Sequence, residues 1–444
     1  MKIKKEGRKM NTNQYLATEK ISKLMLKFSI PCIMSLLVSS LYNIVDQIFI
    51  GRGVGYLGNG ATNVVFPITI IALAIALMIG DGCAAHLSLC LGRKDQEEAS
   101  KSVGNAVVFT VMISLIMMGI FFAGRETILQ AFGATENNVE YAREYFGFIA
   151  VGIPFYMFTN AMNSVIRADG SPAFAMISTL IGCALNMILD PVAIFVLHWG
   201  VAGAAIATIT GQIVTAVLAA WYLFHTKSFK LRKSSFGLHL KELKGFLPLG
   251  ISSFLTQLSI VVIMGVMNNT LVKYGAMSKY GADIPMTVVG IVMKVFQIVI
   301  AFVIGIAAGC QPIVGFNYGA GHYHRVKEIY LTMMKAELVV GIIAMVAMEG
   351  FPMQIIGIFG SESALYNEFA VLSLSLSLLR DFVISVPAVL LLPRYLGVTG
   401  TLWSAPVADI LSMIAVLLMM RVAWSDLSEN AEELKGREKK IVAN

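Results

Sequence analysis

The chain has 444 residues, 57% hydrophobic and only 14% charged, with a mean hydropathy of +0.75. A soluble protein of this length carries roughly a quarter charged residues, so an ordinary soluble domain is excluded. The net charge is +7, and the positive residues sit in the tails and a few short loops, the placement of topological signals rather than of a nucleic-acid surface.

Residues 1–26 carry Lys2, Lys4, Lys5, Arg8 and Lys9, which predicts a cytoplasmic N-terminal segment. The apolar run that follows is long and has no small-residue cleavage site, so it reads as a retained helix and not as a signal peptide. Spans are predicted near 27–50, 60–80, 102–124, 139–161, 172–196 and 200–224. A polar, basic linker occupies 225–245, and further spans are predicted near 246–272, 284–310, 328–350, 376–396 and 400–422. Each is long enough to cross a hydrocarbon core of about 30 Å, and only helices satisfy their own backbone there. Alternation then puts Arg93, Lys94, Lys101, the linker lysines, His322, Arg325 and Lys327 on one side, which the positive-inside rule makes the cytoplasm. Residues 423–444 carry Lys435, Arg437, Lys439 and Lys440, which predicts a cytoplasmic tail.

The two halves repeat weakly. Ser29-Ile30-Pro31 matches Phe246-Leu247-Pro248, Gly82-Cys83 through Gly92 matches Gly309-Cys310 through Gly319, and Gly200-Val201-Ala202-Gly203 matches Gly397-Val398-Thr399-Gly400. The linker follows an even number of spans, so the halves share one orientation, a parallel repeat about an axis along the membrane normal. The fold class is therefore all-α and polytopic, two pseudo-symmetric bundles on a 6 + 6 plan: an N-lobe over 27–224 and a C-lobe over 246–422. Between the last two matches the second half is short by about 30 residues, one spanning helix with its loop. The run 369–379 is too short to span and leads into Arg380-Asp381, so the second bundle reads as about five full helices. Deletion of its tenth helix is favoured over a re-entrant element. An odd number of spans would set the Lys and Arg residues of the tail on the opposite side, against the positive-inside rule.

Two carboxylates demand an explanation. Asp46 lies deep in the first span with Tyr42 one turn earlier, and Asp190 lies in the fifth with Asn186 one turn earlier. A carboxylate near the bilayer centre costs about 2.5–3.5 kcal/mol, so each should face protein or water. Pro191 after Asp190 frees a carbonyl and bends the helix. An all-oxygen cluster of this kind suits a hard cation, and two carboxylates brought together would share a proton, so the same site serves Na⁺ or H⁺. The alternatives are an Asp46 that anchors Arg52 at the interface and an Asn186–Asp190 bond that steadies the kink. Lys294 in the eighth span either neutralises Asp381 or Asp409, lines the cavity, or snorkels to the interface. Asp81 reads as an inner-face contact.

The remaining features are bland. Cys32, Cys83, Cys90, Cys183 and Cys310 lie within or at the ends of apolar segments without CxxC spacing, so neither disulfides nor a metal site is expected. Gly305–Gly321 lacks phosphate-loop spacing. The 25 methionines suit either an adaptable cavity or core filling. With no nucleotide motif, metal cluster or triad, the chain is not expected to be an enzyme and needs no cofactor.

Tyr42-Asn43-Ile44-Val45-Asp46 with Phe49-Ile50-Gly51, Arg167-Ala168-Asp169-Gly170-Ser171-Pro172, Asn186-Met187-Ile188-Leu189-Asp190-Pro191 and Gln311-Pro312-Ile313-Val314-Gly315-Phe316-Asn317-Tyr318-Gly319-Ala320 resemble the multidrug and toxic compound extrusion (MATE) transporters, closest to the bacterial multidrug branch. The resemblance implies twelve helices in two rocking lobes and antiport of cationic, amphipathic drugs against H⁺ or Na⁺. It places cation coupling on Asp46, Asn186, Asp190 and Thr208, with Na⁺ as the one candidate metal ion. Tyr42 and Asn163 become cavity residues, and Lys294 and Gln311 are added as cavity candidates.

The expected protein is a secondary multidrug exporter working by alternating access. It would be a monomer of the bacterial inner (plasma) membrane, with drugs and lipid as its partners and no nucleic acid. Two alternatives remain: a lipid-linked precursor flippase of the same superfamily, for which Lys294 is the one obvious midplane cation, and a transport-deficient remnant caused by the missing helix.

Overall fold

The computed structural model describes residues 14–132, 134, 138–275 and 283–351, with the side chains of Tyr56, 262–296, Met345, Met348 and Glu349 outside the description. These residues form nine long helices and no strand. After a one-turn helix, Tyr15–Thr18, come α1 (Ile21–Gly53), α2 (Tyr56–Gly92), α3 (Gln96–Ala131), α4 (Val139–Ala168), α5 (Pro172–Pro191) and α6 (Gly200–Leu223). Then follow α7 (Leu240–Gly275), α8 (Asp283–Gly319) and α9 (Tyr323–Gly350). All nine coincide with predicted spans, and the chain is a multi-pass membrane protein. Among the described residues searched, seven helices are long and apolar enough to cross a membrane. The two spans predicted after residue 352, the shortened tenth helix, Asp381, Asp409 and the tail lie outside the described residues.

Several helices overrun their predicted spans. Hydropathy marks the hydrocarbon layer, whereas the backbone stays helical until something stops it. Between α2 and α3 the stop is Lys94, at φ 64°, followed by Asp95. The Asp95 side chain caps α3 by accepting from the Glu98 N–H at 3.0 Å, and Glu97 and Glu98 complement the positive end of the dipole.

The chain divides into two compact units. The first comprises residues 1–270 and 296–337, and the second 271–295 and 338–444. In the first unit α2 packs along α4, α4 along α6, α1 along α5, and α5 along α6, with α3 closing over α4 and α2. One buried cluster joins Ile79, Cys83 and Leu87 of α2 to Val103, Met162, Val165, Ala219 and Tyr222. A second, toward the α1–α2 turn, joins Val65 and Ile68 to Phe121, Phe146, Ile153 and Val201.

The motif Arg167-Ala168-Asp169-Gly170-Ser171-Pro172 is a turn that clasps the linker. Helix α4 ends at Ala168, Gly170 takes a φ of 80° that a side chain would strain, and Pro172 opens α5. Asp169 is fully buried. Its carboxylate accepts from the Lys227 N–H at 2.7 Å, the Ser228 N–H at 2.9 Å and the Tyr222 hydroxyl at 2.8 Å. Burial pushes the carboxyl above the usual value, against the pull of these donors. The stretch read as a polar linker is thus fastened, with Phe229, Ser235 and Leu243 buried and Asn105 accepting from the His239 N–H at 2.6 Å. Asp169→Ala would strand buried donors and is expected to cost roughly 2–4 kcal/mol, read as a lower unfolding temperature in detergent.

The sequence repeat reappears as reciprocal contacts within the first unit. A Cβ at Gly92 would strike the carbonyl oxygen of Phe316, and one at Gly319 would strike that of Leu89. Likewise Gly82 abuts Phe246 of α7, and Gly309 lies against Ser29 of α1, where a Cβ would meet Cα at 2.6 Å. Each contact is the image of another under the correspondence of Ser29 with Phe246 and Gly82 with Gly309. The surrounding bonds seal the same end of the bundle. Asp81 accepts from Ser253 at 2.8 Å and from Ser164 at 2.7 Å, Gln311 donates to the Asp81 carbonyl at 3.0 Å, and Asn317 donates to the Leu16 carbonyl at 3.0 Å.

Candidate functional site

The site is built where α1, α5 and α6 converge. Helices α5 and α6 cross closely because Gly182 and Gly211 face each other, and a Cβ on Gly211 would lie 2.7 Å from the Gly182 carbonyl oxygen. One turn beyond this crossing are Asn186 on α5 and Thr208 on α6, whose side chains meet at 3.1 Å. With its amide turned to match its neighbours, Asn186 donates to Asp190 Oδ2 at 3.0 Å. Its oxygen then accepts from the Thr208 hydroxyl at 3.1 Å and the Thr208 N–H at 3.2 Å. Asp190 follows one turn later, fully buried. Pro191 has no N–H to continue the helix, and the chain relaxes into a π turn over Val192–Val196, closed by Leu197 N–H on the Val192 carbonyl at 2.9 Å.

Helix α1 brings Asp46 to the same place. Asp46 is 8% exposed, and its carboxyl lies within hydrogen-bonding reach of the Asp190 carboxyl. No donor among the described residues reaches Asp46 Oδ1, which is shielded from solvent. Arg52 is exposed and does not pair with Asp46. The Asp46 carboxyl thus has another acid within reach, and two carboxylates in contact cannot both stay ionised without a cation between them.

Tyr42 lies close enough to interact electrostatically with both acids, and so does Tyr145 of α4, a residue not singled out in the sequence. Asn163 of α4 sits lower, beside Thr179 of α5 at 3.4 Å. Thr179 is about 10 Å along α5 from Asn186, at 1.5 Å per residue. The Asn163 oxygen, Thr159 Oγ1 on the preceding turn and Ser178 Oγ across on α5 are all buried without a partner. Of these, Asn163 is placed at the α4–α5 seam by its contact with Thr179. The signal for them was the run Thr159, Asn160 and Asn163 on one face of an otherwise apolar span.

Gln311 stands apart from this group. It bonds to Asp81 at the sealed end, roughly 25 Å from the level of Asp46 along the helix axes. Lys294 lies on α8 with its side chain outside the described residues. The structure thus brings together Asp46, Asp190, Asn186, Thr208 and Tyr42, sets Asn163 below them, and leaves Gln311 elsewhere.

A multi-pass helical bundle enclosing an intramembrane carboxyl pair is the architecture of a membrane transporter. The MatE family model matches residues 31–192 and again 251–424, once in each half. The chain belongs to the MatE family, whose members are transporters and not enzymes and need no cofactor. The second match takes in the stretch that reads in sequence as one helix short. Multidrug export protein MepA of Staphylococcus aureus (strain MRSA252) is 22% identical over 457 residues, covering 95% of this chain and 98% of its own. A MOP superfamily transporter from Pyrococcus furiosus superposes with a TM-score of 0.76 at 22% identity, covering 93% of this chain and 97% of that one. The MATE multidrug transporter DinF-BH superposes at 0.73 with 31% identity, over 91% of this chain and 96% of that one.

Proposed function

We propose that this protein exports organic drugs from the cell by antiport against a cation, with Asp46, Asp190, Asn186 and Thr208 as the coupling site. The observation that carries the reading is the buried contact between the Asp46 and Asp190 carboxyls. Such a pair holds one cation tightly in one conformation and releases it in another, and a transporter exploits that difference in affinity. The geometry favours a proton. Asn186 presents its N–H₂ to Asp190 and its oxygen to Thr208, so the amide must turn before that oxygen can serve Na⁺. A proton placed between the carboxyls completes the network as it stands.

In this reading the N-terminus and the sealed end face the cytoplasm of a bacterial plasma membrane, and the monomer is the working unit. The drug class is inferred from the relatives, one named a multidrug export protein and another a multidrug transporter. The test is efflux of a cationic dye from vesicles holding the full chain, with a pH gradient or a Na⁺ gradient imposed separately. Efflux driven by the pH gradient alone is expected. Efflux driven only by Na⁺ would reverse the ion assignment, and none under either gradient would sink the function.

A further inference from the structure

At the far end of the bundle from the carboxyl pair, α2 and α3 bring three metal-ligating side chains together. His86 and Cys90 are one turn apart on α2 and Glu98 is in the first turn of α3. One ligand atom from each lies within 4.8 Å of the others. His86 Nε2 is 3.8 Å from Glu98 Oε1, and Cys90 Sγ is 3.7 Å from His86 Nδ1. Ligand atoms around a tetrahedral zinc ion stand roughly 3.3–3.8 Å apart, given bond lengths of about 2.0–2.3 Å. The two distances end on opposite ring nitrogens, and with Ser102 on Nδ1 an ion takes Nε2, so Cys90 must turn toward it within the 4.8 Å span of the three ligand atoms.

Ser102 and Glu98 engage the two ring nitrogens of His86, and Cys90 is left without a good bond of its own. Ser102 Oγ already stands 3.1 Å from the nitrogen that Cys90 approaches, and a ring nitrogen makes one good in-plane bond. Ser102 instead fits the usual partner of a metal-bound histidine, which fixes the ring while the ion takes a lone pair. The charge around the cluster is acidic, with Glu98, Glu242 and Asp95 acting on it against Arg93. The ring edge is open as well. Gly245 of α7 lies where a side chain would come within 3.3 Å of Nε2. Cys90 is buried, while the Glu98 side chain is 43% exposed and gives the ion a way in.

We infer that His86, Cys90 and Glu98 form a binding site for a zinc-class divalent cation, with water in the fourth position, separate from the coupling site. Binding displaces the thiol proton of Cys90 to solvent and leaves a thiolate on the metal. The ion ties the end of α2 to the start of α3. Sequence spacing hides this site, because two ligands sit one helical turn apart and the third arrives from the next helix.

The test uses the full chain in detergent, stripped with a chelator and titrated with Co²⁺ as a spectroscopic probe, then with Zn²⁺. One Co²⁺ per chain is expected, with a thiolate-to-cobalt charge-transfer band that Zn²⁺ removes by displacement. Cys90→Ser should abolish the band and weaken binding at least tenfold, on the order of a lost metal ligand. His86→Ala should weaken it comparably, and Cys310→Ser should retain the band. Zn²⁺ should raise the unfolding temperature of the unmodified chain and not that of Cys90→Ser, which guards against variants that bind poorly only because they fold poorly. No thiolate band, or a band that survives in Cys90→Ser, overturns the proposal.

Discussion

Replacing either Asp46 or Asp190 by Asn is expected to abolish gradient-driven efflux while leaving membrane insertion intact. The amide keeps the volume and much of the hydrogen bonding of the acid but neither ionises nor exchanges a proton. The affinity difference between the two conformations therefore collapses, and with it the coupling. A drop of tenfold or more in gradient-driven dye efflux is the expected reading, about 1.4 kcal/mol or more of lost coupling. The two variants should differ in stability. Asp46 Oδ1 has no donor to lose, so Asp46→Asn is expected to fold as well as the parent. Asp190 receives the Asn186 amide, and in Asp190→Asn only one orientation of the new side chain keeps that bond, at a cost of up to about 1 kcal/mol. Efflux unchanged in both variants would remove these carboxyls from the mechanism.

The second large effect is expected at Gly250. A Cβ there would land on the Met78 carbonyl oxygen, with the carbonyl carbon only 2.7 Å away. Backbone cannot yield as a side-chain tip can, so Gly250→Val must push α7 off α2. The Ser253–Asp81 bond and the adjoining Gln311 contact would be lost with it. Overpacking of this kind costs roughly 1–3 kcal/mol, sometimes more. A penalty near 3 kcal/mol shifts a two-state equilibrium by over a hundredfold, away from the sealed arrangement. All five native cysteines are buried, so a cysteine introduced by Leu247→Cys, close to one turn before Gly250 and packed on the buried cluster of α2, reports on that end against a quiet background. Its labelling by a membrane-impermeant maleimide should rise sharply when Gly250→Val is added, and efflux should fall. Equal labelling with and without Gly250→Val would show that this contact does not hold the end shut.

The carboxyl site was legible because an acid in an apolar helix is costly and has few structural excuses. Asp46 and Asp190 stood out on that ground alone, and Asn186 followed from helical spacing. Their contact was not legible, since it depends on how α1 meets α5, and that is set by packing rather than by either segment. Tyr145, Thr159 and Ser178 escaped notice because tyrosine, threonine and serine are cheap in a membrane helix and carry no signal singly. The linker misled in another way. Its lysines and serines read as solvated, yet Asp169, a residue in a different segment, collects its backbone N–H groups. Gln311 drew attention through its motif, and it is set against the Asp81 carbonyl.

The reciprocal contacts of Gly82 with Phe246 and Gly309 with Ser29, and of Gly92 with Phe316 and Gly319 with Leu89, make the sealed seam self-complementary. It is the interface of a two-fold dimer folded into one chain. A seam that looks the same from either repeat has no handedness with which to tell one half of the molecule from the other. The carboxyl pair has no such twin. In the register that matches Pro31 with Pro248, Ile263 occupies the place of Asp46. The acids of the first repeat are thus one feature that tells the halves apart, and the shorter second repeat is another.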